Sequence, residues 1–103
     1  MTKKINKITL VGGSVISLIG DEYFVTFTDK KLSGWGCAEG RKAKVVVVCA
    51  NRAQAYALYD KLTTKRGLQL FSHASVRTTV PRYPTKKYHT SFELYTPSIY
   101  PYL

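Results

Sequence analysis

Five consecutive residues, Val45-Val46-Val47-Val48-Cys49, present apolar side chains to both faces of any extended backbone. Such a strand has no face to leave in water, so it has to run through a sheet that is covered on both sides. The next segment is equally constrained. Asn51 is a good helix N-cap, and Gln54 stands three residues later, the spacing of a capping box with Asn in place of Ser or Thr. Ala53, Ala55, Ala57, Leu58 and Leu62 favour helix, and Ala55, Leu58, Tyr59 and Leu62 fall on one apolar stripe. Lys65 and Arg66 suit a last turn, where they complement the helix dipole, and Gly67 suits the C′ position beyond it. The spacing predicts a helix over about 52–66.

Strand patterns surround this unit. Ile5 to Val11 is rich in β-branched residues, Gly12-Gly13 offers a tight turn, and Val15 to Ile19 reads as the returning strand. After Gly20-Asp21, Tyr23 to Thr28 alternates strictly: Tyr23, Val25 and Phe27 share one face, and Phe24, Thr26 and Thr28 the other. The first 28 residues therefore read as an antiparallel meander. Asp29 to Lys44 has the composition of a loop. Beyond the helix, Leu68 to Val76 alternates with Leu68, Leu70, Ala74 and Val76 in phase, and Thr90 to Tyr95 reads as an edge strand. Pro81 and Pro84 exclude regular strand between Val80 and Pro84, because neither has an amide to donate. The tail from Tyr95 to Leu103 carries aromatic anchors without a period, so it either packs across the body or orders on a partner. The expected fold is α+β: an antiparallel or mixed sheet of five to six strands, one helix on one face, the other face open or thinly covered. With 103 residues and no long linker, a single domain over 1–103 is expected.

Charge narrows the partner. Sixteen Lys and Arg stand against six Asp and Glu, a formal net charge of +10. That imbalance in a small domain opposes compaction by self-repulsion unless something anionic is bound, and nucleic acid is the commonest such partner. No segment approaches the roughly 20 apolar residues of a spanning helix. The basic start, Met1 to Lys7, does not read as a signal peptide. Two cysteines make no disulfide framework, and Cys49 is expected in the core as a small hydrophobe. A cytoplasmic protein that does not contact a membrane is expected.

Two basic stretches can meet a polyanion. In Ser33-Gly-Trp-Gly-Cys-Ala-Glu-Gly-Arg-Lys-Ala-Lys44, Trp35 can stack on a base while Arg41, Lys42 and Lys44 hold phosphates; alternatively Trp35 simply folds over the sheet edge. The glycines do not form a dinucleotide loop, since their spacing is off by one and a strand comes next. In Val76 to His89, Arg77, Arg82, Lys86 and Lys87 interleave with Tyr83 and Tyr88, with no acidic residue between Lys61 and Glu93. The prolines stiffen that stretch and lower the ordering cost of binding. Its bland reading is a solvated loop whose tyrosines cover core.

Catalytic signals are thin. The six acids are scattered, none forming an evident acid–base pair, and Cys37, Cys49, His73 and His89 have spacings unrelated to a zinc site. No cofactor, metal or catalytic residue is assigned. A small enzyme would gain support only from Glu39 or Asp29 beside His73 or His89 in a pocket.

The run Thr28-Asp29-Lys30, Ser33-Gly34-Trp35-Gly36 and Ala38-Glu39-Gly40, then a β-branched strand, an alanine-rich helix and a strand ending near Pro81-Arg82-Tyr83, resembles small proteins of phages and prophages of Gram-positive bacteria. The likeness covers roughly residues 24 to 84. It implies a phage accessory protein in a bacterial cytoplasm and brings no catalytic residues with it.

Together these features lead to a non-catalytic, sequence-tolerant nucleic-acid-binding protein of a phage or mobile element. It would take DNA or RNA, as single strands rather than duplex, because no helix-turn-helix precedes its helix. The alternative is an anti-defence inhibitor whose basic surface and Tyr-rich tail dock on an acidic host protein, a nuclease or CRISPR-type effector. An exposed edge strand can also pair two copies into a homodimer.

Overall fold

A computed structural model describes residues 7–30, 42–81, 83, 87–98 and 100. The elements run β1 (Lys7–Thr9), β2 (Val15–Ser17), β3 (Tyr23–Asp29), β4 (Lys42–Cys49), α1 (Arg52–Leu62), α2 (Lys65–Leu70), β5 (Phe71–Arg77) and β6 (Tyr88–Leu94). Strands β3 to β6 form one mixed sheet in the order β5-β3-β4-β6. Strand β3 is antiparallel to both neighbours, and β6 is parallel to β4. The fold is α+β, as the patterning implies.

The all-apolar run lies in β4, an interior strand. Its odd residues Val45, Val47 and Cys49 join Val25, Phe27 and Phe71 beneath Ala55, Leu58 and Leu62 of α1. Its even residues Val46 and Val48 face the other way and, with Phe24, meet Ile8 of β1. Burying both sets of valines is worth about 1.5–3 kcal/mol per side chain, which is why this strand is central.

Helix α1 begins as its sequence dictates. The Asn51 side chain accepts from the Gln54 amide at 2.9 Å, and the Gln54 side chain accepts from the Ala50 amide at 2.8 Å. The reciprocal bond of the box thus lands one residue before the cap.

Three expectations require correction. The helix ends at Leu62 instead of about 66. Thr63 Oγ1 donates back to the Tyr59 carbonyl and Thr64 Oγ1 to that of Lys61, bonds that compete with further helix. Thr64 Oγ1 then accepts from the Gly67 amide at 3.1 Å and caps a second helix, α2. Gly67 is therefore inside a helix, and its role is close approach: a Cβ there would press into the Lys61 and Leu62 carbonyl oxygens.

The expected strand from Leu68 begins only at Phe71, because Leu68 to Leu70 belong to α2. Within β5 the pairing Thr26↔Ser75 and Thr28↔Ser72 leaves His73 and Ala74 opposite Phe27, a β-bulge, with His73 at φ 56°. The extra residue moves Ala74 and Val76 onto the same side as Phe71.

The expected meander is also broken. Strands β1 and β2 pair only with each other, in a separate two-stranded sheet. This hairpin folds over the face of the main sheet opposite the helices. Ile8 is buried there, Leu10, Ile16 and Leu18 partly so, and the Val11 amide donates to the Phe92 carbonyl at 2.8 Å. Glu22 holds the adjoining turn, accepting from the Ile19 and Gly20 amides at 2.7 and 2.8 Å.

The final strand lies on an edge, as expected, but spans Tyr88–Leu94. The connection from β5 to β6 has to pass from one sheet edge to the other. It does so on the hairpin side, where Val80 and Tyr83 pack against the second core and Pro81 is buried. The described part of the tail packs on the body: Tyr100 contacts the Phe27 and Phe71 rings and donates to Glu93 at 2.6 Å. No helix among the described residues is long and apolar enough to cross a membrane.

Candidate nucleic-acid interface

The hairpin covers only half of its sheet face. On β3 the side chains of that face run Phe24, Thr26, Thr28, and on β4 they run Val48, Val46, Lys44, Lys42. Register sets Phe24 against Val48, Thr26 against Val46 and Thr28 against Lys44. The apolar half is roofed by Ile8 and its neighbours, while the polar half is left as a groove of about 350 Å³. Thr26, Thr28, His73 and Ser75 form its floor and one side, and Lys42, Lys44, Arg77, Tyr83 and Tyr88 complete it.

Tyr83 comes from the middle of the connection between β5 and β6, and Tyr88 stands where that connection enters β6. Tyr83 is held by the second core, and Tyr88 starts β6 opposite Lys42. Their rings meet edge to face at 5.5 Å, and the Lys44 ammonium stands 5.4 Å from each ring centroid. The ammonium thus has the negative face of two π-systems beside it. Burial pushes the Lys44 pKa below the ordinary lysine value, and the nearby charges of Lys42 and Arg77 lower it further. No carboxylate lines the groove among the described residues. The site is positive, and its own cations repel one another.

Its floor is hydroxylic. Thr26 Oγ1 and Ser75 Oγ hydrogen-bond at 2.8 Å. Thr28 Oγ1 is buried and has no hydrogen-bond partner among the described residues. A buried hydroxyl left unsatisfied costs about 1–3 kcal/mol, and this one belongs to a residue that lines the cationic groove. The bulge at His73 brings its exposed side chain to the rim, the kind of re-aiming that bulges serve beside functional sites.

Of the ten residues expected to bind nucleic acid, five line this groove: Lys42, Lys44, Arg77, Tyr83 and Tyr88. The described parts of the two basic stretches therefore converge on one face. Lys87 is exposed beside the groove, and its carbonyl accepts from the Lys42 amide at 3.2 Å. Trp35, Arg41, Arg82 and Lys86 lie outside the described residues, as do Cys37 and Glu39. Thr26, Thr28, His73 and Ser75 are floor and rim residues that the charge count passes over. Their signal is the polar phase of two alternating strands, in step with Lys42 and Lys44.

The acid–base and metal alternatives gather little here. Asp29 lies in phase with Val25 and Phe27 on the helix side of the sheet, away from His73 in the groove. Cys49 is buried on that helix side, where burial pushes its thiol up to about 11. Among the described residues no three His, Cys, Asp or Glu side chains cluster so as to hold a metal ion. The chain matches no family model, and no curated protein or solved structure is significantly similar to it.

Proposed function

We propose that the protein binds single-stranded nucleic acid on the Lys42–Lys44–Arg77 groove, tolerant of base sequence and without catalysis. One observation carries this reading: the Lys44 ammonium is flanked by the Tyr83 and Tyr88 rings in a groove with two further cations and no carboxylate among the described residues. Cations supply sequence-independent attraction to phosphates, and tyrosine rings give any base a stacking partner. Toward the hairpin the groove ends at Tyr83, which packs against the second core, a narrow setting that suits a single strand better than a rigid duplex. The resemblance to phage proteins supports a setting in an infected bacterial cell, and phosphate-binding cations with stacking rings serve DNA and RNA alike.

The inhibitor reading leans on the Tyr-rich tail as a docking element. Among the described tail residues, Tyr95 and Tyr100 pack partly against the helix-side core, which leaves these two rings less surface for docking. The deciding experiment is fluorescence anisotropy of labelled oligothymidylate and oligouridylate at rising salt. Affinity should fall steeply between about 50 and 200 mM salt, as expected where several phosphates are contacted. Binding indifferent to salt, or none at low salt, defeats the proposal.

A further inference from the structure

We propose that the groove is an end site: it takes the phosphomonoester at the terminus of a single strand in preference to an internal phosphodiester. The proposal rests on the single-strand reading above and goes further by naming the phosphate form that fits.

Three features of the groove point to a chain end. The first is charge density. Lys42, Lys44 and Arg77 converge on one pocket of about 350 Å³ instead of being strung along a track. A diester carries one negative charge and a terminal phosphate close to two at neutral pH, so the terminal group neutralises more of the three cations. Burial first lowers the Lys44 pKa, and the further lowering by Lys42 and Arg77 reflects this surplus of positive charge.

The second is the floor. Thr28 lines the groove, and its buried Oγ1 has no hydrogen-bond partner among the described residues. The residue sits directly across the ladder from Lys44, the cation to which a phosphate would be drawn. A terminal phosphate has three oxygens free for such donors, and a diester has two. Seating one of them on Thr28 removes the cost of its unsatisfied hydroxyl.

The third is the blocked side. Beyond Thr26 and Val46 the same sheet face is occupied by Ile8, with Leu10, Ile16 and Leu18 around it. A strand lying in the groove cannot continue under the hairpin, so its first residue can be seated there with the rest leading outward. The Tyr83 and Tyr88 rings stand beside the pocket to receive the terminal base.

The test compares four oligothymidylates of one length, with 5′-phosphate, 3′-phosphate, both or neither, in anisotropy titrations at fixed salt. Thymidine 5′-monophosphate and thymidine serve as competitors. At least one phosphorylated end should bind roughly tenfold or more tightly than hydroxyl ends, the size of a charge-assisted contact. The monophosphate should compete where the nucleoside does not. Thr28→Val should lower affinity for the phosphorylated end by a larger factor than affinity for the hydroxyl end, and Thr28→Ser should restore the difference; thermal melts establish that both variants fold. Equal affinity for all four strands, with normal salt dependence, overturns the end site and leaves single-strand binding standing. Absence of binding by every strand overturns both.

Discussion

Thr28 and Lys44 stand opposite each other on neighbouring antiparallel strands, one a buried hydroxyl without a partner and the other a partly buried ammonium between two tyrosine rings. They mark the point where a sheet face that is apolar at Val46 and Val48 becomes cationic. An alternating strand normally reserves one face for the core. Here one face serves both purposes, core under the hairpin and site beyond its edge.

Lys44 titrates early, and that has a consequence for binding. Burial first, then Lys42 and Arg77, hold its pKa below 10.5 in the free protein. A bound phosphate favours the charged ammonium and raises that pKa. Affinity is therefore full below the depressed value and declines as pH rises through it, sooner than for an ordinary lysine. Lys44→Arg, whose charge persists across this range, should remove that component of the decline, whereas Lys44→Ala should weaken binding at every pH and reduce the salt slope by about one. A Lys44→Arg profile superimposable on the wild type would exclude Lys44 as the titrating group.

The two tyrosines should separate structure from binding. Tyr83 is packed against the second core, and Tyr88 lies at the start of an edge strand. Tyr88→Ala is expected to weaken single-strand binding by about 1–3 kcal/mol, the worth of one stacked base, with little change in melting temperature. Tyr83→Ala should cost both affinity and stability, whereas Tyr83→Phe should preserve each. Chemical denaturation run beside the binding titrations checks the pair; unaltered affinity in both alanine variants would remove the rings from the interface.

How far the chain can be read from its residues depends on whether the signal is local. The Val45–Cys49 run has one physical solution and is legible, as is the Asn51 cap. The break at Thr63-Thr64 is hidden because Lys65-Arg66-Gly67 resembles a helix end. Only the packing of Gly67 against the Lys61 and Leu62 carbonyls reveals a second helix. The bulge at His73 is invisible for a related reason: Leu70, Ala74 and Val76 keep a plausible period until the partner strand forces two residues opposite Phe27. At the site, the basic and aromatic residues stand out by composition. Thr26 and Thr28 do not, since a threonine on an alternating strand ordinarily faces water, and only the gathering of Lys42, Lys44, Arg77, Tyr83 and Tyr88 around theirs makes it a pocket floor.

Gly67 yields a test of the junction between the two helices. As a residue beyond a helix end it would matter for backbone freedom, yet its φ is not among the positive ones. What it avoids is collision with backbone oxygens, which cannot swing aside as a flexible side chain can. Gly67→Ala should destabilise the fold by about 1–3 kcal/mol, the range of overpacking a tight contact, although alanine is the better helix former. Urea denaturation measures it, and a variant as stable as the parent would mean that α2 does not abut α1 in this way.

Cys49 closes the helix-side core at the end of β4, wholly inaccessible, its thiol raised to about 11 by burial. The thiolate is the reactive form, so below pH 9 the folded chain holds roughly a hundredfold less of it at this position than a thiol of pKa 9 would. The same shift makes the folded state retain a proton that the unfolded chain releases. Its contribution to stability is therefore intact below about pH 9 and is lost as pH climbs from there to about 11. Iodoacetamide at pH 8 should leave the Cys49 peptide unmodified in the native protein and alkylate it within minutes in urea, with mass spectrometry of the digest distinguishing it from Cys37. Rapid native labelling of Cys49 would require that β4 open readily to solvent, which is incompatible with a strand buried on both faces.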